Sequence, residues 1–137
     1  MTMSSPETFT TAQPDQLLRR ALQIDGLTAL AAGALWCATS EKLAALTQLP
    51  AGLIFYAGLS FLPLGIYMLL IASQRPPHRG LALSIVIGNF AWAIASFALL
   101  IGGVAEPNAF GVAFVAGQAG WVALLAVLEA IGLRRIA

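Results

Sequence analysis

Ser73-Gln74-Arg75-Pro76-Pro77-His78-Arg79-Gly80 is the one strongly polar break in the middle of an otherwise apolar chain of 137 residues. Two prolines remove backbone donors and push the residue before them out of the helical region, so no helix runs through this stretch. The apolar runs on either side, about 50–73 and 81–103, each have the roughly 20 residues needed to cross a hydrocarbon core of about 30 Å. Further out lie two more such runs, about 17–39 and 109–133. The pattern predicts an all-α polytopic membrane protein, a four-transmembrane-helix bundle built from two hairpins over residues 17–137. The break is then the connection between the hairpins.

Composition points the same way. The chain is 59% hydrophobic and 9% charged, with a mean hydropathy of +0.85, against about 25% charged residues in an ordinary soluble domain. A net charge of +1 with no long Lys/Arg run excludes nucleic acid as a partner. Cys37 is the sole cysteine, which rules out an internal disulfide and a cysteine metal cluster. The first span carries Asp25 where a cleaved leader would have its apolar region, and three more spans follow it, so it is expected to stay in the membrane.

Residues 1–16 are rich in Ser, Thr, Pro and Gln and are expected to form a disordered cytoplasmic tail. The first span is the least hydrophobic. Its six Leu/Ile residues, at about −0.5 kcal/mol each, only just offset a central Asp at about +3 kcal/mol. Ala29, Ala32 and Gly33 give it a small-residue face for a neighbouring helix. Residues 40–49, with Leu43, Leu46 and Leu49 opposite Glu41, Lys42, Thr47 and Gln48, predict a short interfacial helix. In the second span, Pro63 with Gly65 is a candidate hinge, because the proline leaves the Leu59 carbonyl without its usual donor. In the third, Asn89, Trp92 and Ser96 share one face. In the fourth, Ala113, Ala116, Gly117 and Gly120 form overlapping small-residue pairs. Trp36 reads as an outer interfacial anchor, Trp92 and Trp121 as packed within the bundle, and His78 as a solvated loop residue.

Six arginines set the orientation. Arg19 and Arg20, Arg75 and Arg79, and Arg134 and Arg135 flank one side of the spans, whereas the other side carries only Lys42. The positive-inside rule then puts both termini and the central loop in the cytoplasm.

The candidate polar site is a pair of intramembrane acids, Asp25 and Glu129, each five residues inside an arginine. Neither has a base at the i±3 or i±4 spacing that lets side chains of one helix meet, so ion pairs with the arginines must cross between helices. Gln118 is eleven residues before Glu129 and shares its face. With Asn89 it extends a polar line into the membrane. Such acids either lock helix rotation or form a proton-coupled or cation-binding site. No catalytic motif, metal cluster or haem-ligating histidine accompanies them, so no cofactor and no metal are expected.

The pattern Leu49-Pro50, Gly58-Leu59 with Leu62-Pro63, Asn89 with Trp92, and Gly111-Val112-Ala113-Phe114-Val115 with Gln118-Ala119 resembles a group of uncharacterised small bacterial four-span integral membrane proteins. The resemblance covers roughly residues 17–135. It implies a four-helix fold and a bacterial inner (cytoplasmic) membrane, without an activity. Small multidrug transporters also have four short helices, but they place an essential Glu within the first span, where this chain has Asp25 near the cytoplasmic edge.

Two functions fit these residues. The first is an accessory or scaffold subunit, in a homo-oligomer or with other membrane proteins, resting on the small-residue faces. The alternative is a proton-coupled small-molecule carrier or a lipid or hydrophobic-ligand binding protein that uses Asp25 and Glu129.

Overall fold

The computed structural model describes residues 13–136; the tail expected over residues 1–16 lies outside them as far as residue 12. Four α-helices follow one another: α1 (Gln16–Thr47), α2 (Ala51–Ser73), α3 (Arg79–Ile101) and α4 (Ala109–Arg134). All four are long and apolar enough to cross a membrane. Large apolar side chains such as Leu27, Tyr56, Leu70 and Ile94 point outward along them. That surface would aggregate in water and is the natural one against acyl chains.

The polar break ends α2 at Ser73 as its prolines require, but α3 begins at Arg79, two residues before the expected start. The cause is His78. Its Nδ1 accepts the Leu81 N–H at 3.2 Å, and its own N–H donates to Gln74 Oε1 at 2.8 Å. His78 is exposed, as its reading as a solvated residue expects, and it is also the N-cap of a helix, satisfying one of its orphan donors.

A helical segment does follow the first span over residues 40–47, set off from it by a kink. It is the last part of α1, which runs to Thr47 and bends at a single non-helical residue, Thr39 (φ −122°, ψ 19°). The Thr39 hydroxyl donates back to the Leu35 carbonyl at 2.6 Å, an arrangement that bends helices. Beyond the bend the segment is held by the α3–α4 connection. Asn108 donates its N–H to the Thr47 carbonyl at 3.1 Å and its side-chain amide to the Leu46 carbonyl at 2.8 Å. Asn108 also caps α4, accepting the Gly111 N–H at 2.8 Å.

Glycine decides how the helices approach. A Cβ on Gly26 would lie 2.9 Å from the Gly65 carbonyl oxygen, and one on Gly65 would lie 2.8 Å from that of Gly26. Gly33 and Gly58 repeat the arrangement at 2.7 and 3.0 Å. The two contacts are seven residues apart on each helix, with numbering running in opposite directions, so α1 and α2 pack antiparallel along one glycine seam. On the other side of α1, Gly132 rests on the Leu18 backbone and Gly111 on the Thr47 carbonyl, which brings in α4. α3 packs on α4, while α2 and α3 scarcely approach each other. Side chains bridge that gap: the hydroxyls of Tyr67 and Ser84 are 3.1 Å apart, the rings of Phe61 and Trp92 have centroids 4.9 Å apart, and Met68 and Ile71 share an apolar cluster with Ile85.

Two apolar clusters hold the ends. One, near the arginines, joins Leu18, Leu22, Met68, Ile71, Ile85 and Leu133. The other joins Trp36, Leu49, Ile54 and Val115. Between them lies a polar layer.

Candidate functional site

Three helices each contribute one buried polar side chain to this layer: Asp25 from α1, Asn89 from α3 and Glu129 from α4. One nitrogen joins them. Asn89 Nδ2 donates to Asp25 Oδ2 at 2.6 Å and to Glu129 Oε2 at 3.0 Å. Glu129 is completely buried, and its second oxygen, Oε1, has no hydrogen-bond partner.

The cross-helix ion pairs expected between these acids and the arginines are not formed among the described residues; the side chain that both acids bond to is Asn89. Depth explains the difference. Arg20 and Asp25 are five residues apart, roughly 7.5 Å along a helix axis, and the helix ends offer the arginines nearer acceptors. Arg19 Nε donates to the Ala72 carbonyl at 3.0 Å, and Arg79 Nη1 donates to the Leu133 carbonyl at 3.1 Å. Both carbonyls lie in last turns, where intrahelical donors run out. Arg20, Arg75 and Arg135 line clefts at that same end with Gln13 and Pro14, and Arg134 is exposed there.

Gln118 does not join the acids. It belongs to a second polar layer, in which Trp92 Nε1 donates to Gln118 Oε1 at 2.8 Å and Gln118 Nε2 donates to Ser96 Oγ at 3.0 Å. The shared face of Asn89, Trp92 and Ser96 thus serves both layers. Elsewhere, Trp121 Nε1 donates to Thr28 Oγ1 at 3.2 Å across α1 and α4.

A cavity of about 400 Å³ stands between the two layers. Asp25 and Asn89 lie at one end and Gln118 at the other, and its walls are mostly apolar and aromatic: Trp36, Phe61, Tyr67, Trp92 and Trp121. Of the small-residue face read at Ala29, Ala32 and Gly33, Gly33 packs closely on α2, whereas Ala29 and Ala32 line the cavity, with Ala32 also packed against the Trp36 cluster. The cavity's exposed lining residues are Leu64 on α2, Ser84 and Gly88 on α3 and Trp121 on α4; the first three mark an opening along the side where α2 and α3 part. A smaller cavity of about 210 Å³ lies beyond Trp36, Trp92 and Gln118, which line both.

Trp36 was expected as an outer anchor and is a buried wall instead, 8% exposed. Its ring packs on Phe61 and Phe114, both with centroids at 5.1 Å. Conversely Trp121, expected inside the bundle, is 44% exposed. Gly65, paired with Pro63 as a candidate hinge, is buried in the glycine seam, and α2 is one uninterrupted helix through Pro63. The spacing of Gly26 to Gly33 and of Gly58 to Gly65 was the sequence signal for that seam.

No group of three or more His, Cys, Asp or Glu side chains that could hold a metal stands together among the described residues. Two carboxyl groups share one amide donor beside an aromatic chamber that opens sideways. Set against family profiles, curated proteins and solved structures, the chain matches none of them.

Proposed function

We propose that this protein is a membrane-embedded binding protein or carrier for hydrophobic small molecules, which reach its central cavity sideways from the bilayer between α2 and α3. The observation that carries this reading is the chamber of about 400 Å³, apolar on its walls and polar at both ends, on the side of the bundle where α2 and α3 meet only through a few side chains. Its size and its few polar groups are those of a small-molecule site. By the positive-inside rule the arginine end faces the cytoplasm, and the resemblance to small bacterial four-span proteins points to the bacterial inner membrane. Asp25 then lies toward the cytoplasmic end of the chamber.

The chain's own fluorescence tests the reading, because all three of its tryptophans line the cavity. In phosphatidylcholine nanodiscs, ω-bromoundecanol is expected to quench this emission with a saturable phase, above the linear quenching that partitioning into lipid produces. Gly88 supplies the control. A Cβ there meets nothing within 4 Å, so Gly88→Leu extends into the opening without disturbing a helix contact. This variant is expected to lose the saturable phase. Linear quenching alone in the wild type, unchanged by Gly88→Leu, would overturn the proposal.

A second reading, the accessory subunit in a homo-oligomer or larger membrane complex, is favoured by Gly117 and Gly120. Both face outward on α4 with nothing within 4 Å of an added Cβ, which leaves room for another helix to approach closely.

A further inference from the structure

We propose that the ligand of this cavity is a lipophilic monovalent cation, an amphiphilic ammonium compound whose charged head sits at Asp25 and whose apolar body lies against the indoles. This rests on the binding reading above and adds the ligand's charge to it.

The argument starts from what faces the chamber. From α1 comes Asp25; from α3, Asn89 and Ser84; from α4, Gln118; from α2, Tyr67, whose hydroxyl is engaged with Ser84. No Lys, Arg or His lines it. The only charged side chain exposed to a ligand is therefore an acid, and it is 4% exposed and bound through one oxygen to Asn89. Behind it stands a second acid. Glu129 shares the same amide nitrogen and keeps Oε1 without any partner. The two carboxyl groups share one amide nitrogen, and Asp25, the acid of the pair that lines the chamber, has no basic side chain facing it there, so a cationic head is the ligand charge that this end of the chamber favours.

The walls select the kind of cation. Indole and phenol faces attract positive charge through the ring quadrupole, and the attraction is larger where water is excluded. Trp92 and Trp121 stand on helices that also carry Asn89 and Glu129, so aromatic faces and acids are held by the same scaffold. A strongly hydrated metal ion gains little from such walls, whereas an ammonium group bearing carbon substituents meets both requirements. Because a proton competes for the same carboxyl oxygens, cation binding is expected to strengthen as pH rises, while binding of a neutral ligand does not.

The test is a matched pair of probes with one tail: ω-bromoundecanol and ω-bromoundecyl-trimethylammonium, each titrated into the wild type in phosphatidylcholine nanodiscs and plotted against mole fraction in the bilayer. The ammonium probe is expected to half-saturate the tryptophan quenching at about one-tenth the mole fraction of the alcohol, which corresponds to about 1.4 kcal/mol. Asp25→Asn is expected to bring the two within about twofold by weakening the ammonium probe alone. Glu129→Gln serves as the second variant should Asp25→Asn fail to fold, with the same expected direction. In the wild type, the ammonium advantage is expected to shrink as the pH is lowered. If the alcohol saturates and the ammonium probe gains nothing, or if its advantage survives both substitutions, the cation inference falls and the cavity reading stands. If neither probe saturates, both fall.

Discussion

Asn89→Leu is expected to destabilise the bundle more than any other single side-chain truncation in the polar layer, by about 2–4 kcal/mol. The hydrogen bonds themselves do not account for such a figure, because interhelical hydrogen bonds in membranes average well under 1 kcal/mol. The cost lies in what the substitution strands. Asn89 Nδ2 is the shared donor to Asp25 Oδ2 and Glu129 Oε2, and leucine leaves two buried acids facing each other with none. The reasoning carries its own control. In an Asp25→Asn/Glu129→Gln background, the same leucine removes a donor that the new amides can replace, and its cost is expected to fall below about 1 kcal/mol. Unfolding by sodium dodecyl sulfate in mild-detergent micelles, followed by circular dichroism, measures both. Equal costs in the two backgrounds would mean that Asn89 acts by its volume and not by its amide.

The second large effect belongs to the glycine seam. Gly33→Ala places a methyl group 2.7 Å from the Gly58 carbonyl oxygen, which is part of a helix backbone and cannot swing aside. α1 and α2 must separate, at an expected cost of about 1–3 kcal/mol. Gly58→Ala is expected to do at least as much, since its Cβ would meet the Trp36 Cβ at 2.8 Å and displace the ring that walls the cavity. The comparison is with Gly117→Leu and Gly120→Leu, which meet nothing within the chain and should leave the unfolding transition in place. Should the protein form oligomers through α4, these two substitutions are the ones that dissociate them. The same unfolding titration, with sizing by light scattering, distinguishes the seam from the outer face.

The helices were legible in the sequence because the bilayer imposes a length and a polarity that few other environments require. The prolines of the central break and the apolar run lengths place α2 and α4 to within a residue or two. The bend at Thr39 could be read only in part. A change from an apolar run to an amphipathic one is visible, but whether a helix stops or bends there depends on one hydroxyl finding the Leu35 carbonyl and on Asn108 holding the far end from sixty-odd residues away.

The acids were visible as anomalies, since a carboxyl group in an apolar span needs a partner. Their partner was harder to read. Charge matching alone selects the arginines, whereas the fold offers those arginines last-turn carbonyls and offers the acids a neutral amide at their own depth. Asn89 stood on the expected polar face, but nothing in one sequence aligns the depth of residue 89 with that of residues 25 and 129. The cavity was not legible at all. It arises because α2 and α3 stay apart while the glycine seam and the Gly132 contact draw α1 tightly to α2 and α4, a property of three interfaces at once.

Lateral access is the point on which binding from the bilayer depends, and it can be measured without any added ligand. Trp121 is exposed on the outside, so a Trp121→Phe protein leaves only Trp36 and Trp92, both cavity walls. Its emission should be compared in nanodiscs of ordinary phosphatidylcholine and of phosphatidylcholine with dibrominated acyl chains. With the chamber open to the bilayer, the brominated chains are expected to quench these two indoles strongly, and Gly88→Leu is expected to restore most of the emission. Equal emission in the two lipids, or quenching that Gly88→Leu leaves untouched, would contradict a cavity that opens between α2 and α3.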